Sequence, residues 1–311
     1  MEKYSNTKTN YTGQFLKIAA ALVAANFFFG TNVIAVKKIS PVFIPPISLG
    51  YLRMLFATVV FFLVSFFMKK QEKIKKEDYP SIFFAALTGI SLNQILSING
   101  IATTNPIHAS LLNMATPIFV SILATLFLKE RFGWNKAIGL LLGIAGAWLM
   151  IITRANGTSQ NPATVLGDAM VLIAAVCYSS YLILIKKIAG RYHFITILKY
   201  VFLIGTLCST PYCIRNFIEI SWVSIPLSAY YWLFHVLFLA TFLAYLLMNW
   251  GVQQWGPSKT GSFVYFQPLF GTLAAIWVLN EELTTLKLVA GSLIVAGVWI
   301  NSFNARKNTS Q

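Results

Sequence analysis

Residues 105–130 read NPIHASLLNMATPIFVSILATLFLKE, and residues 256–281 read GPSKTGSFVYFQPLFGTLAAIWVLNE. The second stretch follows the first at an offset of 151 places. Pro106 falls on Pro257, Pro117 on Pro268, Phe119 on Phe270 and Glu130 on Glu281. Widening the comparison to residues 100–150 and 251–301 gives twelve identities in fifty-one ungapped positions. They include Lys136/Lys287, Ala145/Ala296, Gly146/Gly297 and Trp148/Trp299. Weaker echoes precede them: FGTNVIAVKK at 29–38 resembles YSSYLILIKK at 178–187, and Arg53 pairs with Lys199. A fixed offset of this kind marks a duplicated unit. The chain reads as two halves, residues 1–153 and 154–311.

Composition fixes the solvent. Of 311 residues, 57% are hydrophobic and 11% charged, against about a quarter charged in soluble domains. So little charge cannot cover a water-soluble globule, and the surrounding medium is lipid. The net charge of +15 does not point to nucleic acid, because Lys and Arg gather in the cytoplasmic loops of membrane proteins. Cys177, Cys208 and Cys213 lie inside apolar runs without metal-ligand spacing and read as packing residues. No cofactor is expected. No phosphate-binding GxxxxGK[ST] loop or soluble domain is present, which excludes an ATP-driven pump.

A helix needs about 20 apolar residues to cross a bilayer. Ten stretches qualify: 15–36, 46–68, 80–98, 105–127, 136–153, 167–187, 194–214, 228–250, 257–279 and 285–303. The first continues too far to be a cleaved signal peptide. The expectation is an all-α membrane protein of ten transmembrane helices, arranged as two inverted five-helix repeats. Inversion follows from the odd number of spans per half. With the termini inside, loops and tails on the inside hold sixteen Lys and Arg and those outside hold five. That asymmetry places both termini in the cytoplasm of a multi-pass inner-membrane protein.

Inverted repeats are a recurrent plan of secondary transporters, with substrate near the midplane. Pro117 and Pro268 each remove a helix hydrogen bond and crowd the carbonyl four residues back, at Asn113 and Val264. They read as paired hinges or cavity walls, a packing kink being the plainer alternative. Polar side chains at lipid depth face the bundle interior. Asn93 and Gln94 on the third span, Tyr245 and Asn249 on the eighth, Asn26 on the first, and Tyr178 and Tyr181 on the sixth outline a cavity, although each alone can be helix-to-helix glue. His108 aligns with Lys259 at the starts of the fourth and ninth spans. On an ideal helix Thr116 falls about 80° around from His108, and Gln267 the same from Lys259. The expected substrate-binding set is therefore His108, Lys259, Thr116 and Gln267 with Asn93, Gln94 and Tyr245 opposite, joined by Tyr178, Arg53 and Lys199. Arg53 and Lys199 can instead snorkel to headgroups. Glu130 and Glu281 read as solvated acids at helix ends, and Asp168 as an anion at a helix start. No carboxylate is expected mid-span, so proton coupling would run through His108 or His235. The Gly139, Gly143, Gly146 run and its partner Gly291, Gly297 read as close helix contacts. The Asn156-Gly157-Thr158 triplet is a weak glycosylation match.

These motifs resemble the EamA type of the drug/metabolite transporter superfamily. The resemblance rests on FFFGTNVIAVKK, on Arg53 in LGYLRMLFA, on the two proline-to-glutamate segments with their glycine-rich successors, and on LGDAMVLIAAVCYSSYLILIKK. It implies alternating-access transport of a small metabolite, often export, from the cytoplasmic membrane. A monomer or homodimer is expected, with the solute and the bilayer as partners. The cationic set suits an amino acid or other carboxylate-bearing solute. A multidrug or cation exporter held by Tyr178, Tyr181 and Tyr265 is the alternative, and a non-transporting structural membrane protein a further one. An intramembrane enzyme is not expected, since three scattered His and no paired acids make no catalytic set.

Overall fold

The computed structural model describes residues 2–68, 72–128, 134–152, 163–188 and 190–307. All regular elements among them are helical, with no β-strand. α1 spans Glu2–Ile39 and α2 Pro46–Phe66. α3 is composite: Tyr79–Ala86, a π-helical stretch Leu87–Leu92, then Asn93–Thr103. α4 is Pro106–Leu112, a 3-10 turn Asn113–Ala115 and Thr116–Leu128. α5 is Trp134–Ile152, α6 Val165–Ile188 and α7 Phe194–Ile218. α8 comprises Leu227–Phe234, a π-helical stretch His235–Leu243 and Ala244–Gly261. α9 is a 3-10 turn Ser262–Tyr265 with Phe266–Leu279, and α10 is Thr285–Lys307.

Among the described residues seven of these helices, α1–α4 and α6–α8, are long and apolar enough to cross a membrane. The apolar parts of the others are shorter: Ala137–Leu149, Phe266–Leu279 and Thr285–Gly297. Length and composition therefore support a multi-pass helical protein, not the full count of ten. The expected link at 251–256 is not a loop either. The backbone stays helical through Gly256 and Pro257 to Gly261. Pro257 lies inside this helix, where it removes the N–H that the Gln253 carbonyl would accept, yet the backbone stays helical past it.

Local chemistry sets the other starts. Pro46 and Pro106 occupy first-turn positions, and the Asn105 side chain caps α4 by accepting from the Ile107 N–H at 2.9 Å. Thr164 Oγ1 accepts from the Gly167 N–H at 3.0 Å before α6. Pro117 lacks the donor that Asn113 would accept from, and the chain tightens there into the 3-10 turn. The second 3-10 turn, Ser262–Tyr265, holds Val264, the carbonyl that Pro268 leaves without a donor. The π-helical stretches also correspond: shifting Leu87–Leu92 by 151 places lays it on the C-terminal part of His235–Leu243.

Packing follows the same rule in both halves. α5 lies along α10 and α2 along α7; α1 packs on α8 and α9, as α6 packs on α3 and α4. Lipid gives helices no hydrophobic drive toward each other, so close fit must hold them. Phe61, Phe202, Tyr181, Phe242 and Tyr245 interlock α2, α7, α6 and α8, while Trp148, Trp277 and Trp299 face outward. The glycines of α5 and α10 bring two backbones together: a Cβ at Gly297 would stand 2.5 Å from the Gly139 carbonyl oxygen, and one at Gly146 2.7 Å from that of Ala290.

At one end of the bundle the close of α1, α3 and α9 meets the start of α4 and α6. At the other end the segment before α3 meets the link from α6 to α7. There Asp78 accepts from Arg191 Nη1 at 2.7 Å and from the Tyr192 hydroxyl at 2.8 Å, and Glu72 accepts from the His193 N–H at 2.7 Å. α6 thus runs antiparallel to α3.

The glycine contacts predict a contrast. Gly297→Ala drives a methyl into backbone and lowers stability by about 1–3 kcal/mol. Gly291→Ala meets only the movable end of Leu111 at 3.2 Å and, with the better helix propensity of Ala, leaves stability unchanged or raised. Thermal unfolding of the two variants in detergent, set against the parent, measures both.

Candidate functional site

Arg53 stands two turns into α2 and is 4% exposed. It does not snorkel. Its Nε donates to Thr241 Oγ1 at 2.7 Å and its Nη2 to the Ala240 carbonyl at 3.5 Å. Both acceptors belong to the π-helical stretch of α8. Thr241 Oγ1 in turn donates to the Val236 carbonyl, five residues back, at 2.7 Å, the reach that π geometry provides. Among the described residues no carboxylate pairs with Arg53. A guanidinium has five N–H donors, and two meet protein acceptors here.

The surroundings of Arg53 are rich in donors and aromatic rings. Tyr245 lies within electrostatic reach of Arg53, and Tyr178 and Tyr181 within reach of Tyr245. The rings of Tyr178 and Tyr181 stack at 5.7 Å, and Phe29 and Phe202 pack edge-on against Tyr245 at 5.5 and 5.3 Å. One turn before Arg53, Gly50 lets α2 approach α3, where a Cβ would stand 3.4 Å from the Gln94 carbonyl oxygen. Gln94 Nε2 and the Tyr181 hydroxyl are buried without a hydrogen-bond partner, although Asn249 lies close enough to influence Tyr181. Unpaired buried polar groups are rare in a native fold. Arg53 thus keeps spare N–H donors beyond Thr241 and Ala240, and Gln94 Nε2 and the Tyr181 hydroxyl offer hydrogens with no acceptor among the described residues.

The remaining expected residues do not gather round one cavity. Gln267 Nε2 donates to Asn26 Oδ1 at 2.9 Å, and Asn26 to the Leu22 carbonyl at 2.6 Å. Asn93 Nδ2 donates to the Ala174 carbonyl at 2.9 Å. The Thr116 carbonyl accepts from Ser179 Oγ at 3.1 Å. These bonds tie α9 to α1, α3 to α6 and α4 to α6. Lys199, 7% exposed, lies 4.9 Å from the Tyr200 ring and 5.5 Å from that of Phe62. His235 Nε2 sits 3.1 Å from Thr31 Oγ1. The backbone at Lys259 is helical; its side chain, that of Tyr265, Glu130 and the 156–158 triplet lie outside the described residues. The expected flank position of Thr116 relative to His108 also changes. A 3-10 turn advances about 120° per residue rather than 100°, and three such residues carry Thr116 about 60° further from His108.

His108 belongs to the bundle end instead. It is 1% exposed, with Nδ1 at 3.0 Å from Oδ2 of Asp168, itself fully buried. Thr104 Oγ1 donates to the other Asp168 oxygen. Beside it, Asn105 Nδ2 donates to Glu281 Oε2 at 2.6 Å, and Lys37 Nζ to the Ala102 carbonyl at 3.0 Å. Two carboxylates expected at helix termini thus lie buried between helices, Glu281 at 4% exposure. Lys287 Nζ donates to the Glu282 carbonyl at 3.0 Å. The only hint in sequence was two acids amid runs with few others.

The family profile described as EamA-like transporter family matches residues 16–152 and again 165–303. The chain belongs to the EamA-like transporter family. That family has a two-repeat fold, in keeping with the two matches. Among its relatives, the uncharacterized transporter YetK of Bacillus subtilis is 24% identical over 93% of this chain and 86% of its own. An uncharacterized transporter of Archaeoglobus fulgidus is 26% identical over 88% and 94%. The probable terminal-alkyne amino-acid exporter of Streptantibioticus cattleyicolor is 26% identical over 73% and 74%. A solved crystal structure superposes with a TM-score of 0.64 at 18% identity, covering 94% of this chain and 98% of that one, and shows the likeness of fold. The protein is a membrane transporter of this family and not an enzyme.

Thr241→Val should leave the buried guanidinium short of an acceptor and cost about 1.5–3 kcal/mol, the range for hydrogen bonds to charged groups. Thr58→Val removes a neutral bond to Thr206 at 2.9 Å and should cost about 0.5–1.5 kcal/mol. Unfolding midpoints in detergent rank the pair.

Proposed function

We propose that this transporter exports a small carboxylate-bearing organic solute, an amino acid foremost, across the cytoplasmic membrane by alternating access. The observation that carries the substrate class is Arg53: a buried cation with spare donors, with no carboxylate on it among the described residues, and with Gln94 Nε2 and the Tyr181 hydroxyl unpaired there. An anionic acceptor from the solute completes that set, and Tyr178, Tyr181 and Tyr245 supply flat apolar walls for its organic part. A lipophilic cation would use the same rings, yet it would sit beside an uncompensated positive charge. The exporter of Streptantibioticus cattleyicolor agrees with this class. Access alternates, on this reading, because ten spans form two inverted halves, 1–153 and 154–311, with hinges at Pro117 and Pro268. The exchangeable packing pattern and the antiparallel run of α3 and α6 support it.

Proteoliposome counterflow with a panel of amino acids, dicarboxylates and lipophilic cations tests the class. Carboxylate solutes should exchange, and Arg53→Gln should weaken their apparent affinity at least about tenfold, the loss of one charged hydrogen bond. Exchange of cations alone, indifferent to Arg53→Gln, overturns it. For alternating access, a Cβ at Gly271 would stand 3.2 Å from that of Ser110, near disulfide range. Crosslinking Ser110→Cys to Gly271→Cys in a background without the three native cysteines should stop flux, and reductant should restore it.

Topology gives a separate check. Cytoplasmic termini and inverted halves put residue 130 inside and 281 outside. Single cysteines there should react with impermeant maleimide from opposite faces, and labelling of both from one face would refute inversion.

A further inference from the structure

We propose that the buried His108–Asp168 pair binds a coupling proton, and that this proton locks the bundle end where α1, α3, α4, α6 and α9 meet. The inference rests on the transporter reading above and adds what drives it.

The geometry is that of a two-helix clasp. His108 lies in the first turn of α4 and Asp168 in the first turn of α6, 1% and 0% exposed, with Nδ1 and Oδ2 3.0 Å apart. With a neutral imidazole the pair carries one net negative charge. A proton added at Nε2, with Nδ1–H kept on Asp168, makes the pair neutral overall and turns a simple hydrogen bond into a charge-assisted one. In a water-excluded site that gain is large. Proton binding therefore tightens the contact of α4 with α6, and proton loss leaves the buried pair with one net negative charge held by neutral hydrogen bonds alone, which favours opening to water.

The clasp does not stand alone. Thr104, on Asp168, and Asn105, on Glu281, are neighbours in the short link from α3 to α4. The same dipeptide thus holds α6 and α9, so freeing one loosens the other. The charged groups facing this cluster are Lys37 from α1, Glu281 and Glu282 after α9, and Lys287 from α10. Lys37 is held on the Ala102 carbonyl and Lys287 on that of Glu282, both at 3.0 Å. α3 and α5 add no charged side chain there among the described residues. His235, the other histidine at membrane depth, faces the neutral Thr31 hydroxyl and has no such lever. If this end faces outside, a proton arriving from outside closes it and turns the protein toward the cytoplasm, where the proton leaves. Loss of the proton permits reopening with solute aboard. The result is solute out for proton in.

The test needs no substrate. In a background without native cysteines, Ser110→Cys, 4% exposed in the parent and half a turn past His108, is labelled in proteoliposomes with an impermeant maleimide. Val42→Cys, 72% exposed near the same end, corrects for thiol titration. Corrected labelling should fall at least about fivefold between about pH 8 and about pH 6, the lower bound of ordinary site coupling. Asp168→Asn and, separately, His108→Gln should abolish that fall, and His235→Gln should retain it. Should Asp168→Asn not fold, His108→Gln carries the test. Labelling that ignores pH in the parent, that rises in acid, or whose fall survives His108→Gln overturns the proposal. Flux that the 110–271 crosslink arrests while labelling ignores pH would remove the proton site and leave the transporter standing.

Discussion

A helix in lipid must satisfy its own backbone, and a proline inside it strands one carbonyl. Pro117 and Pro268 impose that constraint at matching points of two halves. The chain meets it by tightening into 3-10 turns ahead of each proline, Asn113–Ala115 and Ser262–Tyr265. Tightening there is matched by loosening elsewhere: α3 and α8 carry π-helical stretches. Helices so irregular cannot pack as plain rods. They place backbone carbonyls and threonine hydroxyls where side chains from other helices can reach them, which is how Arg53 of α2 comes to rest on Thr241 and Ala240 of α8.

The regular helices supply the opposite property. α5 and α10 meet through glycines whose missing side chains let backbone touch backbone, and such contact resists sliding. The irregular helices α3, α4, α8 and α9 surround α1 and α6. The molecule thus separates a tightly fitted pair from a set of interrupted helices that hold its polar groups. Interrupted helices at membrane depth are tolerated only where protein or a water-filled cavity covers the freed backbone groups. Motion, where it occurs, is expected in that set.

Much of this was legible in the chain. Apolar run length marked the seven long helices, and the 151-residue offset marked the duplication and, through its paired prolines, the two points where the helices are interrupted. The π-helical stretches left no mark, because no residue type requires them. The link at Gly256–Pro257 was misread, since a proline inside a helix costs one hydrogen bond without always ending the helix. The surroundings of the candidate site were legible only in part. Residue types at membrane depth singled out Arg53, Tyr178 and Tyr245 as candidates, but the partner of Arg53 lies 188 places away. His108 looked like a cavity residue because its partner, Asp168, lies 60 places on and reads in isolation as a helix-start anion. An ideal helical wheel also misplaced Thr116, since the very turn that Pro117 forces changes the angle between it and His108.

The duplicated halves differ most where side chains, not backbone, do the holding. Under the 151-residue shift Pro117 keeps its proline, but Asn105 becomes Gly256 and His108 becomes Lys259. Gly256 has no side chain to bind a carboxylate as Asn105 binds Glu281. A lysine holds its charge through the neutral pH range in which an imidazole gains or loses one. The backbone devices are therefore repeated while the polar clasp is written once. Two identical ends would give two states of equal free energy with no means of choosing between them. On the proposed proton lock, a titratable clasp at one end and a fixed cation at the matching position of the other let proton binding shift the balance between the two states, while the proton gradient supplies the energy for uphill movement.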